Sequence, residues 1–258
     1  MSWNRHSSMR RTALAIVPAI ALGALALGAA PATVGRPAIT APTNPAARAI
    51  YEEALAYEGP KIMISTRDLR LWYVGTSDTL LRAPVAIGMQ QSFSHAGRSW
   101  YFATPTGQRR IIGKAPDPVW TAPDWHYYER AASLGYEIVH MERGKMYRLG
   151  DGTFLEIRDG DVGRINQFGN FWPFTPGYEI VFDQKVYVPP LDTRQRRIPD
   201  ALGPYKLDMG EGYLIHGTHR YNGGSVGLRV SHGCVRMRNP DVERLYHMVD
   251  VGTPVFIF

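Results

Sequence analysis

Eleven short runs rich in β-branched and aromatic residues, none longer than eight, confine residues 61–258 to a fold of short strands and tight connections. They lie at Lys61–Ser65, Leu69–Val74, Leu80–Ile87, Gln108–Ile112, Tyr136–Met141 and Phe154–Arg158. The others are Tyr178–Phe182, Lys185–Val188, Tyr205–Met209, Tyr213–His216 and Pro254–Phe258. Gly-Pro, Pro-Gly, Asp-Gly and Gly-Gly pairs between them favour hairpins and loops over crossover helices. A mainly β fold is expected, and an apolar fraction of 45% with 11% aromatics is ample for its core.

Two helix signals interrupt this pattern. Asn44-Pro45 caps and starts a helix through about Tyr57, stopped by Gly59-Pro60. Near the C-terminus Asn239 is an N-cap type, Pro240 suits the first turn, and Val242, Leu245, Tyr246 and Val249 mark one face, with Gly252 as the stop.

Residues 1–11 carry Arg5, Arg10 and Arg11 and no acid, residues 12–30 are almost wholly apolar, and Ala30-Pro31-Ala32 offers small residues for cleavage. Residues 1–32 therefore read as a signal peptide. The competing reading is an uncleaved anchor, which would make the N-terminus the only membrane contact. Either way the folded part is exported. Residues 33–60 read as a tether and short helix, and the domain proper as 61–258. Removing 1–32 leaves 26 basic residues against 23 acidic ones, a formal charge of +3. So modest a basicity, without a basic face, gives no reason to expect nucleic acid as a partner. The densest cluster, Arg194-Gln195-Arg196-Arg197, reads as a solvated loop.

Cys234 is the sole cysteine, so it has no disulfide partner within the chain. Its neighbours are Ser231, His232, Gly233 and Arg236, a polar setting unlike an apolar core strand. A thiol nucleophile needs a base, and His216 and His232 are both candidates to deprotonate it and to return the proton. An oxyanion needs backbone donors, for which the N–H groups of His232, Gly233 and Cys234 are available. The carbonyl of Gly217 is the candidate acceptor to orient the His216 ring. Two other readings remain: a buried structural thiol, and a zinc site of His216, His219, His232 and Cys234, although the spacing matches none of the common zinc patterns.

Together, His216-Gly217-Thr218, the seventeen residues between His216 and Cys234, and Ser231-His232-Gly233-Cys234-Val235-Arg236-Met237 resemble the signature of the L,D-transpeptidase (YkuD-type) catalytic domain. Thr104-Pro105-Thr106-Gly107 resembles that family's strand turn, Asp68–Val74 and Pro84–Gly88 its opening strands, and Asn239–Phe258 its closing helix and strand. The resemblance implies a β-rich sandwich or barrel-like catalytic domain. It also implies an exported enzyme of the periplasm or cell wall that cleaves tetrapeptide stems of peptidoglycan, releases D-alanine and passes the acyl group to an amine. The acceptor would be another stem or an envelope protein. By the same resemblance Cys234 is the nucleophile and His216 the general base and acid. Ser231, His232 and Gly233 shape the turn and oxyanion hole, and Arg236 braces the site or meets a substrate carboxylate. No cofactor and no metal is implied. The alternatives are an L,D-carboxypeptidase or related hydrolase using the same Cys/His site, and a noncatalytic envelope-binding or zinc-stabilised module. More than a hundred residues separate Gly107 from His216, longer than the compact family domain. An inserted subdomain is expected at about 125–200; its aromatics Phe168, Phe171, Trp172 and Phe174 read either as a lid that grips the stem peptide or, preferred here because clustered aromatics bury one another, as the insertion's own core.

Overall fold

The computed structural model describes residues 39–219 and 222–258, so the expected signal at 1–32 lies outside the described residues. Helix α1 (Pro45–Ala56) starts as its sequence requires: Asn44 Oδ1 accepts from the N–H groups of Ala46 and Ala47, at 3.0 and 3.2 Å, and proline occupies the first turn.

The largest sheet has five strands in the order Thr79–Pro84, Arg70–Val74, Lys61–Ser65, Pro254–Ile257 and Gly107–Arg110. Lys61–Ser65 is buried throughout, antiparallel to Arg70–Val74 and parallel to the C-terminal strand, with Ile62 level with Val255. Side chains alternate across a strand. Ile62, Ile64, Leu71, Tyr73, Val255 and Ile257 accordingly enter one core, while Met63, Trp72 and Phe256 enter another beneath α1. The run Leu80–Ile87 is split, because Pro84 has no N–H to continue a ladder and closes the edge strand.

A second sheet, of four strands, runs Val235–Arg236, Leu214–His216, Tyr205–Asp208 and Gly113–Pro116. Leu207, Ile215 and Val235 from this sheet share the first core with Ile62, Leu71 and Val255 from the five-stranded sheet. This is a sandwich packing. Helix α3 (Asn239–Met248) closes the same core with Val242 and Leu245, and Val249 follows at its end. Two sequence expectations fail here. Arg238, not Asn239, holds the N-cap position, because Asn239 Oδ1 instead accepts from the N–H of Thr218 at 2.8 Å. The helix also stops at Met248, ahead of Gly252, since Val249 is already extended.

Between the strands Gly113–Pro116 and Tyr205–Asp208 of this second sheet lie helix α2 (Asp124–Leu134), a three-stranded sheet of Glu137–His140, Lys185–Val188 and Val181–Phe182, and a four-stranded antiparallel sheet spanning Tyr147–Pro173. Met141, Leu149, Leu155, Ile157, Val162, Ile180 and Tyr187 form a core of their own there. Helix α2 ends on Gly135, which takes the left-handed conformation (φ 69°) and donates back to the carbonyls of Ala131 and Ala132. Its aromatic-rich sequence gave no helix signal.

The aromatic run is divided rather than buried as a group. Phe174 stacks on Tyr178 at 4.6 Å and packs on this second core, whereas Phe168 and Trp172 are 79% and 53% exposed. The Arg194–Arg197 segment also differs from the solvated loop expected. Gln195 and Arg196 are buried, and the Arg196 guanidinium donates to the carbonyls of Pro189 and Ala122 and to Asp124 Oδ1, satisfying its fork. Among the described residues no helix is long and apolar enough to cross a membrane.

Candidate active site

Alternation on two adjacent strands assembles the site. Leu214–His216 lies parallel to Val235–Arg236, pairing Ile215 with Val235 and His216 with Arg236. Ile215 and Val235 point into the sandwich core, so His216, Cys234 and Arg236 share the opposite face. All three line a cavity of about 510 Å³.

The turn before Cys234 is held chiefly by the segment that joins the strands Thr79–Pro84 and Gly107–Arg110. Gly233 has φ 135°, and a Cβ there would lie 2.8 Å from Tyr213 and 3.1 Å from the Ala103 carbonyl, so glycine is required. Its carbonyl accepts from Thr104 Oγ1 at 2.8 Å, and Thr104 Oγ1 in turn accepts from the Gly88 N–H at 2.8 Å. Gly88 is also needed, since a Cβ would fall 2.5 Å from the Thr104 nitrogen. Ser231 is fully buried; its Oγ donates to the Cys234 carbonyl at 2.6 Å and accepts from the Gly233 N–H at 3.2 Å. The Gly233 N–H thus faces Ser231 rather than the cavity.

His232 is turned away from the acid–base position. Its Nε2 contacts both oxygens of Glu129, at 3.0 and 2.9 Å. The ring stacks on Trp125 (centroids 3.8 Å apart, planes 13° apart) and meets the edge of Phe102 at 4.5 Å. Trp125 and Glu129 come from α2, and with Trp120 and His126 they form the cavity wall that no sequence motif announced. A periodic reading of Asp124–Leu134 as a helix would have put Trp125 and Glu129, four apart, on one face.

Burial governs the charges. His216 is buried, and desolvation followed by the positive Arg236 lowers its pKa to about 4, so the imidazole is neutral at pH 7. The carbonyls of Gly217 and Leu202 oppose that shift, yet Nδ1 has no partner of hydrogen-bonding geometry. The Gly217 carbonyl therefore faces the ring without completing the expected bond. Gly217 itself is fixed in place, with a Cβ there meeting Asn239 Oδ1 at 2.6 Å. Burial raises the Cys234 thiol above its ordinary value, against the smaller opposing effects of the Leu214 N–H and Arg236. Sγ also lies 3.7 Å from the Gly212 carbonyl. The resting pair is thus neutral thiol and neutral imidazole, not the ion pair that the residue types suggest.

The Arg236 guanidinium has neither a hydrogen bond nor an ion pair among the described residues, and burial lowers its pKa. It touches no local carbonyl of the kind a brace would use. His219 and Tyr213 also line the cavity. Among the described residues no three His, Cys, Asp or Glu side chains converge as a metal-ligating group.

A strand-rich sandwich whose single thiol shares a cavity with a buried imidazole defines a thiol-and-imidazole class of site. Its sequence is matched over residues 59–257 by the model of the L,D-transpeptidase catalytic domain, YkuD, and the chain belongs to that family. The probable L,D-transpeptidase ErfK/SrfK of Salmonella typhimurium is 38% identical over 138 residues, 46% of this chain and 43% of that protein. The probable L,D-transpeptidase YbiS of Escherichia coli K12 is 42% identical over 83 residues, 32% of this chain and 26% of that protein. The matched segments thus span less than half of either relative. The crystal structure of an L,D-transpeptidase from Xylanimonas cellulosilytica aligns with a TM-score of 0.40 at 14% identity, over 79% of this chain and 62% of that one.

Proposed function

We propose that the protein is an exported peptidoglycan L,D-transpeptidase working in the periplasm or cell wall. In this reading Cys234 is acylated by a tetrapeptide stem, D-alanine leaves, and an amine of another stem or of an envelope protein takes the acyl group. The observation that carries the reading is the shared face of Cys234, His216 and Arg236 in one cavity, within a chain of this family.

The mechanism follows from the neutral pair. Sγ attacks the donor carbonyl while its proton passes to His216, so the thiolate exists only as the bond forms. Backbone N–H groups of the turn, those of His232 and Cys234, receive the oxyanion. His216 returns the proton to the departing D-alanine nitrogen, leaving a thioester on Cys234. The acceptor amine then attacks, gives its proton to His216, and the thiol is reprotonated as it leaves. Arg236, a cation with no anionic partner among the described residues, meets a carboxylate of the stem. The low His216 pKa suits this sequence, because the ring must be neutral to accept each proton.

The test is product analysis by mass spectrometry after incubation with a disaccharide tetrapeptide and a second stem. D-Alanine release with a crosslinked dimer, absent in Cys234→Ala, is expected. Tripeptide alone would make the protein a carboxypeptidase, and products unaffected by Cys234→Ala would overturn the assignment.

A further inference from the structure

The turn Ser231-His232-Gly233-Cys234 is held unevenly. Ser231 is fixed by its own hydroxyl bonds and by its carbonyl, which accepts from Met89 at 2.9 Å. Gly233 is fixed by Thr104. Both anchors lie in the segment that joins the strands Thr79–Pro84 and Gly107–Arg110 of the five-stranded sheet. The residue between them is held from the other side of the cavity: the His232 ring lies flat on Trp125 of α2 and has Glu129 of α2 as its one hydrogen-bonding partner among the described residues. Glu129 in turn has no other hydrogen bond or ion pair among the described residues. Its carboxylate lines the cavity with both oxygens on this imidazole.

We propose that Glu129 is a positioning residue that acts through His232 to set the peptide planes leading into Cys234, so that acylation depends on helix α2. This rests on the transpeptidase reading of the site. His232 cannot swing its ring without leaving both the Trp125 stack and the Glu129 carboxylate, and its backbone feeds directly into the φ 135° conformation of Gly233. Loss of the carboxylate frees the ring, and the N–H groups meant for the oxyanion lose their aim. Glu129 touches neither Sγ nor the donor carbonyl and supplies no proton.

The experiment compares Glu129→Ala and Glu129→Gln with the wild type in four measurements: D-alanine release, alkylation of Cys234 by iodoacetamide, amide hydrogen exchange over residues 231–235, and Tm. A misplaced turn costs on the order of 10- to 100-fold in rate. In Glu129→Ala we expect kcat to fall by about that factor with KM changed less than about threefold, alkylation within about twofold, and exchange at 231–235 faster. Glu129→Gln, whose amide oxygen still accepts from Nε2–H, should recover most of kcat and the slow exchange. Unchanged exchange in Glu129→Ala overturns the proposal, as does a kcat loss that tracks only the unfolded fraction. Should the wild type release no D-alanine, the transpeptidase reading fails, while the exchange comparison still decides whether Glu129 holds the turn.

Discussion

The sandwich and the 137–188 region treat their large side chains in opposite ways. In the sandwich, Tyr73, Leu81, Ile215 and Met237 are buried in one core that backs directly onto His216 and Cys234. In the 137–188 region a smaller core of Leu155, Val162 and Ile180 coexists with the exposed rings of Phe168 and Trp172. The difference teaches where function is invested. The proposed reactive groups stand on the sandwich, whereas the chain between its strands Gly113–Pro116 and Tyr205–Asp208 contributes α2, whose Trp125 and Glu129 wall the cavity. The aromatic cluster that looked suited to cover a substrate does not line the cavity at all.

Matched core deletions test this division most severely. Ile215→Ala and Leu155→Ala each remove a fully buried branched side chain, and each should cost about 2–5 kcal/mol in denaturant unfolding. Only Ile215→Ala, beside His216 in its strand, should also lower D-alanine release per folded molecule at 25 °C. Equal activity losses would erase the distinction between the regions.

Acid sharpens the same contrast. The unfolded His216 imidazole binds its proton near 6.5 and the folded one only near 4. Between those values the unfolded state holds more protons, so stability falls as pH drops from 6.5 to 4, by about 3 kcal/mol at about 1.4 kcal/mol per unit. Denaturant titrations at pH 7 and pH 4 should show this loss in the wild type and not in His216→Gln. An identical acid loss in both proteins would place the sensitivity elsewhere.

Thr104→Val is expected to act next in size. It keeps the shape but strands the Gly88 N–H and the Gly233 carbonyl, at about 1–3 kcal/mol for a buried unsatisfied group. Tm and kcat should fall together, since the same oxygen joins the Gly88 backbone to the turn before Cys234. At the small end, Trp172→Ser should change stability by less than about 0.5 kcal/mol and leave KM unaltered. A raised KM would return the exposed aromatics to the substrate path.

Much of the strand pattern was legible because these strands have local signatures. Lys61–Ser65, Phe154–Arg158 and Lys185–Val188 fall at the expected bounds, and Asn44 caps α1 as its residue type demands. What stayed hidden depends on partners distant in sequence. Trp120–Thr121 pairs with Arg197–Ile198, and Gln91–His95 pairs with Arg98–Phe102 around Ala96-Gly97, short strands with weak periodicity of their own. Asn239 was read as a cap because its type fits one, yet its oxygen is claimed by Thr218, just past the end of the strand Leu214–His216 and twenty-one residues earlier. The thiol and the imidazoles of His216 and His232 were singled out by residue type and setting, and a role for the guanidinium came only with the family resemblance. Thr104 was noticed only as part of a turn, and Glu129 not at all, because neither reveals from sequence that it touches the residues flanking Cys234. The protonation states were equally out of reach, since burial sets them and burial is a property of the folded chain.

The most direct test of the account is rapid-quench intact mass spectrometry of the protein during its first turnovers with a tetrapeptide stem. A transient adduct equal to the stem acyl group less D-alanine, mapped to Cys234 and lost in Cys234→Ala, is the predicted result. D-Alanine released without any such adduct, or released equally by Cys234→Ala, would contradict it.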